Sequence, residues 1–535
     1  MKKITFLIGI MIALFQSSCS DFLDDLPMTQ KVDENFYQTP QDMYEAMVGC
    51  YKILQKEENN NLFQIAEAAS DNVYGGGGVG DGPGSPYDEF KMYTTNDFCS
   101  EPWSNKYSGI YRCNMFLEKY VAKDWGNDAE LVKQYAAEVH FLRAYYYFYL
   151  IRIYGNIPLI TTSVSDNPPQ APAADVYKLI AEDLKFAIDN LPAVTVAEMN
   201  AEDYGRITKW AAQAMMARVF LFYTGYYKTT DLEGVVSKSD VLGYLEDLIA
   251  NSGHGLLPDF RSLWAYGLNT KYLEKLTGDP SIKYIGEGKQ NIESIFVVKY
   301  SPSGAWGKFE GAHWIKYLGW RSGSWDPIAG GWGIASTVNP KLWNAYSSED
   351  TRKTASILSV KDEGSEYVTG DQRDETYYWQ KKYTPVAIDG KDRLDAEGVN
   401  NQYGQPYDFM VIRYSDVLLM AAELGSPNAQ NYFDQVRDRA FKDQDHRLPL
   451  TEENLREERR LEFAFECIRY YDLLRYGLDY AKSKIDEVKV VYNKGIKEEI
   501  PIVFPIECGG FFQIPYTQIR LSNYVLKQNE YWIVK

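Results

Sequence analysis

Along most of the chain apolar residues recur at three- and four-residue intervals, and each such stretch predicts an amphipathic helix. The first follows Thr39, Pro40 and Asp42, a helix start, and carries Met43, Ala46, Met47, Cys50 and Tyr51 on one face. A second runs from Trp103 through Tyr107, Ile110, Tyr111, Asn114 and Leu117. A third is long: Val132, Tyr135, Ala136, Val139, Leu142, Tyr146, Tyr149, Leu150 and Ile153 form its stripe, and Gly155 with Pro158 stops it. Its arginines, Arg143 and Arg152, and its short apolar span exclude a membrane crossing. Helices are predicted over about 175–190 and 206–227, the latter with alanines at 211, 212, 214 and 217 that let a partner helix come close, and again over 412–441. Residues 455–477 place Leu461, Ala464, Phe465, Ile468, Tyr471 and Leu474 on one face of a single helix. Successive antiparallel helix pairs of this kind predict tetratricopeptide-like packing without strict 34-residue repeats, in a mainly α fold.

Two stretches break the helical period. Residues 75–87, GGGGVGDGPGSPY, hold too much glycine for a helix or strand and predict a loop. They lack the Lys-Ser/Thr ending of a phosphate-cradling loop and the strand and helix around a dinucleotide site. Between about 255 and 405, glycine, tryptophan and short β-branched runs such as ESIFVVKY replace long helices. Trp306, Trp314, Trp320, Trp325, Trp332, Trp343 and Trp379 all fall there. Long irregular segments in a compact protein tend to carry function, and the aromatic content argues against disorder.

Composition narrows the class. The 535 residues carry a formal charge of −18 and no basic run, which argues against nucleic acid or an anionic membrane surface as partner. Four histidines leave little for histidine chemistry, while 43 tyrosines against 24 phenylalanines favour surfaces needing a flat ring with a polar tip. Lys2 and Lys3, an apolar run from Ile4 to Phe15, and Ser17 and Ser18 before Cys19 describe a signal peptide over 1–18, with Cys19 as the lipidation site and 19–35 as a tether. Gln16 stands where such sites usually have leucine. Processing there removes two lysines and no acids, taking the charge from −18 to −20. Cys50, Cys99, Cys113, Cys467 and Cys508 read as buried free thiols, with a Cys99 to Cys113 bridge left open.

The densest charge lies in residues 455–477, where Arg459, Glu462, Glu466 and Arg469 follow at offsets of three, four and three. A catalytic carboxylate pair is one reading; an ion network tying the helix to its neighbours is the other and the stronger, since buried charges survive only when paired. There is no HExxH, CxxC pair, GxSxG or convincing Ser, His, Asp grouping. No catalytic residue and no cofactor is assigned. Calcium held by Asp and Asn oxygens stays open, although no EF-hand spacing is present.

The stretch ERRLEFAFECIRYYDLLRYG resembles the C-terminal signature of the SusD/RagB family, surface glycan-binding lipoproteins of Bacteroidetes-type nutrient uptake systems. Cys467 stands where that family more often has glycine, and Ile468 replaces a frequently polar residue. Four further segments match in order: the first helix, AEVHFLRAYYYFYLIRIYGNIPLI with His140 as a structural residue, residues 412–441, and the terminal FFQIPYTQIRLSNYVLKQNEYW. GGWGIASTVNPKLWNAYSSEDTR resembles a general family motif, which makes Trp332 and Trp343 structural. The resemblance implies a single SusD-like α/α superhelix: helix pairs over 36–254 with an N-terminal loop insert, a loop-rich ligand-binding part over 255–405, and helices over 406–535 that complete it.

It also implies a lipid-anchored, surface-exposed outer-membrane protein that binds glycan and delivers it to a SusC-like TonB-dependent transporter, without enzymatic activity. Sugar rings stack on flat aromatic side chains while Asp, Asn and Arg hydrogen-bond the hydroxyls. Trp320, Arg321, Trp325 and Asp326 supply those types within seven residues, in a segment without a family match. Family members bind glycans with loops from two regions, which implies Asp71, Asn72, Tyr74 and Tyr87 as the opposing wall. Two other readings stay open: a homologue that binds peptide or protein, and a secreted helical glycoside hydrolase. On the leading reading Glu462→Gln lowers stability and spares glycan affinity, and Trp320→Ala does the opposite.

Overall fold

The computed structural model describes residues 36–533 apart from 60–61, 79–84, 93–98, 166, 265–284, 287, 302–310, 313–316, 322–330, 361–370, 384–386, 389–390 and 393–406. The signal segment, the tether and Cys19 therefore lie outside the described residues, as do Trp325 and Asp326.

Helices dominate. In α1 (Pro40–Tyr51) Thr39 and Asp42 form a reciprocal capping box, and Met43, Met47 and Cys50 are buried. α2 (Ser100–Val121), α3 (Ala129–Tyr154), α4 (Ala173–Asn190), α5 (Lys209–Tyr227) and α6 (Lys238–Asn251) then pack each on the next. α3 ends at Gly155 with φ 73°, a conformation glycine takes without strain. From Trp210 to Tyr223 nearly every side chain of α5 is buried, so this helix has no solvent face and its alanines set the close approach. Tyrosine stitches the pairs: Tyr146 donates its hydroxyl to the Cys50 carbonyl at 2.7 Å, and Tyr107 to that of Pro158 at 2.8 Å. His140 Nδ1 lies 2.5 Å from Asp183, which also takes two bonds from Arg143 at 2.8 Å, so α3 is fixed to α4 by charge.

The chain returns to helices with α7 (Tyr414–Glu423) and α8 (Ala429–Phe441). The stretch expected as one helix over 455–477 is two: α9 (Glu452–Phe463) and α10 (Arg469–Tyr476), separated by a turn in which Phe465 has φ 70° and Cys467 φ 62°. The apolar spacing continued because the turn is buried as well. Cys467 N–H donates to Glu67 at 2.7 Å, which fixes the break. Four of the network's carboxylates, Glu293, Glu458, Glu462 and Glu466, and Asp350 face Arg352, Arg413, Arg437, Arg439 and Lys382, all buried. Charge therefore balances inside this cluster, the condition under which buried ions persist.

Strands supply the remaining frame. β1 (Val73–Gly76) is followed by β2 (Ser294–Val298), β3 (Ile334–Val338), β4 (Ile357–Ser359), β5 (Tyr378–Gln380) and β6 (Phe409–Arg413). β1, β3, β5 and β4 form one antiparallel sheet in that order, and β6 pairs with β2. β7 (Glu487–Asn493) and β8 (Ile496–Ile502) form a hairpin with Val73-side contacts through Tyr74 and Glu487, whose hydroxyl-to-carboxylate bond is 3.0 Å. The expected loop at 75–87 thus begins as strand: Gly76 belongs to β1, and the register shifts between Tyr74 and Gly76. Glycine is what the pairing needs, since a Cβ on Gly76 would sit 2.2 Å from the Gly333 carbonyl oxygen.

Cys50, Cys99, Cys113, Cys467 and Cys508 are all buried free thiols, so Cys99 and Cys113 are unbridged. Among the described residues no helix is long and apolar enough to cross a membrane.

Candidate functional site

At the open end of the four-stranded sheet two backbones meet. Gly77 N–H donates to the Gly333 carbonyl at 2.7 Å, and Arg373 N–H to that of Gly77 at 2.9 Å. Gly76 N–H bonds Asp374 at 3.1 Å. The guanidinium of Arg321 lies across this seam. A Cβ on Gly78 would fall 1.9 Å from its Nη2, so only glycine there lets the arginine lie flat against the chain. Arg321 donates through Nε and Nη2 to the two oxygens of Asp371, both at 2.7 Å, and through Nη1 to the Trp332 carbonyl at 3.2 Å. Hydrogen bonds from Arg321 hold the Asp371 carboxyl below its ordinary range. The pair is bidentate and half open to water on the Asp371 side.

Rings border this seam. Tyr317 and Trp332 meet edge to face at 4.6 Å, and both are only partly buried. Tyr377, with φ 69°, meets Tyr492 of β7 edge to face at 5.4 Å. Fixed planar donors and acceptors beside accessible rings are what a polyhydroxylated ligand can use. Among the described residues no group of three or more His, Cys, Asp or Glu is placed to hold a metal ion.

The other expected contacts lie elsewhere. Asp71 is buried and takes both Nε and Nη2 of Arg469, at 2.7 and 2.9 Å, with Arg460 at 3.1 Å. Burial opposes its ionisation, but Arg460 and Arg469 outweigh burial and hold the carboxyl well below its usual range. Asn72, fully buried, donates to Glu67 at 3.3 Å and accepts from Arg460 at 3.2 Å. Tyr74 and Tyr87 face the core, Tyr74 onto Glu487 and Tyr87 against Phe512 at 6.0 Å. The structure thus places this expected wall inside the protein: Arg460 of α9 and Arg469 of α10 hold Asp71, Arg460 also holds Asn72, and Tyr74 meets Glu487 of β7, partners that sequence spacing does not reveal. Trp320 is also interior, 5% exposed in a small cluster with Leu358, Val360 and Trp379. Of the described candidates only Arg321 reaches the seam.

Asp371, Tyr317 and Tyr377 were not singled out from sequence, whereas the glycine run from Gly75 was, as a loop that could edge a binding site. Asp371 lies 50 residues from Arg321 with no motif around it. The run of four glycines from Gly75 was the local signal that sequence offered.

A family model described as the SusD family matches residues 310–532. A second, described as starch-binding associating with outer membrane, matches residues 21–221. A SusD-like protein of Bacteroides ovatus is 26% identical over 490 residues, 87% of this chain and 81% of that protein. The solved structure of a laminarin binding SusD-like protein superposes with TM-score 0.72 at 26% identity, covering 92% of this chain and 100% of that one. Surface glycan-binding protein A from Bacteroides fluxus superposes with TM-score 0.73 at 24% identity, over 91% of this chain and 98% of its own.

Proposed function

The chain belongs to the SusD family, and from that premise we propose that it is a glycan-binding protein of the outer membrane that captures oligosaccharide without cleaving it. The observation that carries the reading is the Arg321 and Asp371 pair lying flat on the glycine seam beside Trp332 and Tyr317. A guanidinium and a carboxylate fixed by each other present in-plane donors and acceptors to sugar hydroxyls, while the ring faces take the apolar side of the pyranose. The likeness to a laminarin binding relative supports a glucan as the first class to test. Trp325 and Asp326, four and five residues beyond Arg321, complete the proposed contacts. Asp71, Asn72, Tyr74, Tyr87 and Trp320 are proposed as the scaffold behind them.

In this reading Cys19 carries the lipid anchor, and the protein hands its ligand to a SusC-like TonB-dependent transporter. Isothermal titration against a panel of polysaccharides and their oligosaccharides tests the first step. Binding to at least one glycan, weakened tenfold or more by Arg321→Ala and without release of reducing ends, is the expected result. That factor corresponds to loss of one charge-assisted bond, about 1.5–3 kcal/mol. Binding of peptides with no response to any glycan would overturn the substrate class, and turnover of the panel would overturn the non-enzymatic reading.

A further inference from the structure

A second concavity lies among elements that contribute nothing to the Arg321 seam: α2, residues 158–165 and 167–168, and the C-terminal helix α11 (Tyr516–Leu521) with the turn after it. Its volume is about 250 Å³. Trp103, Tyr107 and Tyr111 line it at four-residue intervals along α2, so three aromatic rings follow one helical stripe. Trp103 is buried against Tyr107 and Tyr154, each ring 5.0 Å away, while Tyr111 is 50% exposed at the mouth. Opposite, Leu521 is exposed and Leu526 buried.

Both walls are fixed before any ligand arrives. Tyr107 holds Pro158 as described, Tyr147 donates to the Ile160 carbonyl at 2.6 Å and accepts its N–H at 2.8 Å, and Asn114 donates to the same carbonyl at 2.9 Å. Ser163 bonds Glu118 through N–H and hydroxyl at 2.7 and 2.6 Å. On the C-terminal side Gln170 donates to the Lys527 carbonyl at 2.6 Å and accepts its N–H at 3.2 Å. A preformed pocket spares a ligand the ordering cost that a soft one imposes.

The chemistry of the lining is selective. Ser163, Ser165, Asn167, Gln518 and Ser522 supply neutral hydrogen-bonding groups, and among the described residues no Asp, Glu, Lys or Arg lines the pocket in a chain that is 24% charged. The described lining offers an anion or cation no counter-charge, and a bare alkyl chain would strip water from hydroxyls and amides without replacing it. A neutral ring with one apolar face and hydroxyl edges uses both the aromatic stripe and the rim. We infer that this pocket is a second saccharide site, sized for one or two uncharged sugar rings and independent of the Arg321 seam.

Titration of the full-length protein with laminarihexaose, maltohexaose and xylohexaose tests it, comparing wild type with Tyr111→Ala and with Leu521→Arg, two substitutions at exposed positions. The expected result is a weaker binding event, with at least one of the three sugars, that either variant weakens tenfold or more. Arg321→Ala leaves that event in place, so failure of the seam and failure of this pocket are read separately. Isotherms of both variants that superpose on wild type for all three sugars overturn the inference. So does an event at Tyr111 and Leu521 detected only with the apolar dye anilinonaphthalene sulfonate.

Discussion

Glu462 lies fully buried between three guanidiniums, accepting from Arg413 at 3.0 Å, from Arg352 at 3.1 Å and from Arg439. Burial alone would raise its pKa, but Arg439, Arg413 and Arg352 reverse that and keep it ionised. Glu462→Gln leaves a surplus positive charge in the core, and a loss of about 3–5 kcal/mol is expected in urea unfolding. Glycan titration of the folded variant should match wild type. Trp320→Ala, expected from sequence to spare stability, instead empties a buried site against Trp379 and Leu358. The expected loss is about 3–5 kcal/mol by the same measurement, and a loss under about 1 kcal/mol would contradict the burial. Glu375 behaves in the opposite sense from Glu462: burial, with only Tyr377, Trp379 and Thr376 to stabilise its charge, pushes its carboxyl up to about 7. Its folded pKa exceeds the unfolded one, so the stability it contributes is complete below about pH 4.5 and is lost as pH rises through 7. Glu375→Gln should flatten the unfolding free energy between pH 4 and 8 by roughly 3 kcal/mol relative to wild type. Parallel profiles would refute this.

At the scale of elements, the break between α9 and α10 and the entry of glycine into β1 have one cause. Each is a backbone conformation set by a partner remote in sequence: Glu67 for Cys467, Gly333 for Gly76. The left-handed φ of Cys467 also accounts for the glycine that the family more often has there, because glycine adopts that region without the penalty of a Cβ. Gly76→Ala meets both the strain of φ 61° and the Gly333 oxygen, so a loss of at least about 2 kcal/mol is expected, with β1 displaced from β3. Gly126, with φ 51° and nothing within 4 Å of an added Cβ, is the control. Gly126→Ala should lose only about 1 kcal/mol in the same unfolding assay.

For the whole molecule, one continuous apolar core joins the N-terminal helices to the sheet strands and the C-terminal helices, and all five described cysteines lie in it. Burial pushes the thiol of Cys99 up to about 12 and that of Cys508 to about 11. Thiol titration with an aromatic disulfide should therefore give no reaction of these five in the native state. Their exposure in denaturant should coincide with loss of helical signal, and fast labelling of any one before that transition would show the core to be divided.

Helix positions, their capping at Thr39 and their end at Gly155 were legible because periodicity and caps act within a few residues. The reading of residues 455–477 as scaffold rather than chemistry also came from sequence, since two carboxylates so close to arginines are stable only as a network. The sequence by itself thus determined the mainly α architecture and the family. Only the tertiary structure decided which polar residues face outward. Asp71, Asn72, Tyr74, Tyr87 and Trp320 have the right chemistry for a ligand and are interior, while Arg321 is brought to the surface seam by Asp371, 50 residues away. A side chain's type fixes what it can bond, but which partner it meets depends on contacts between segments far apart in the chain, and no local pattern encodes those.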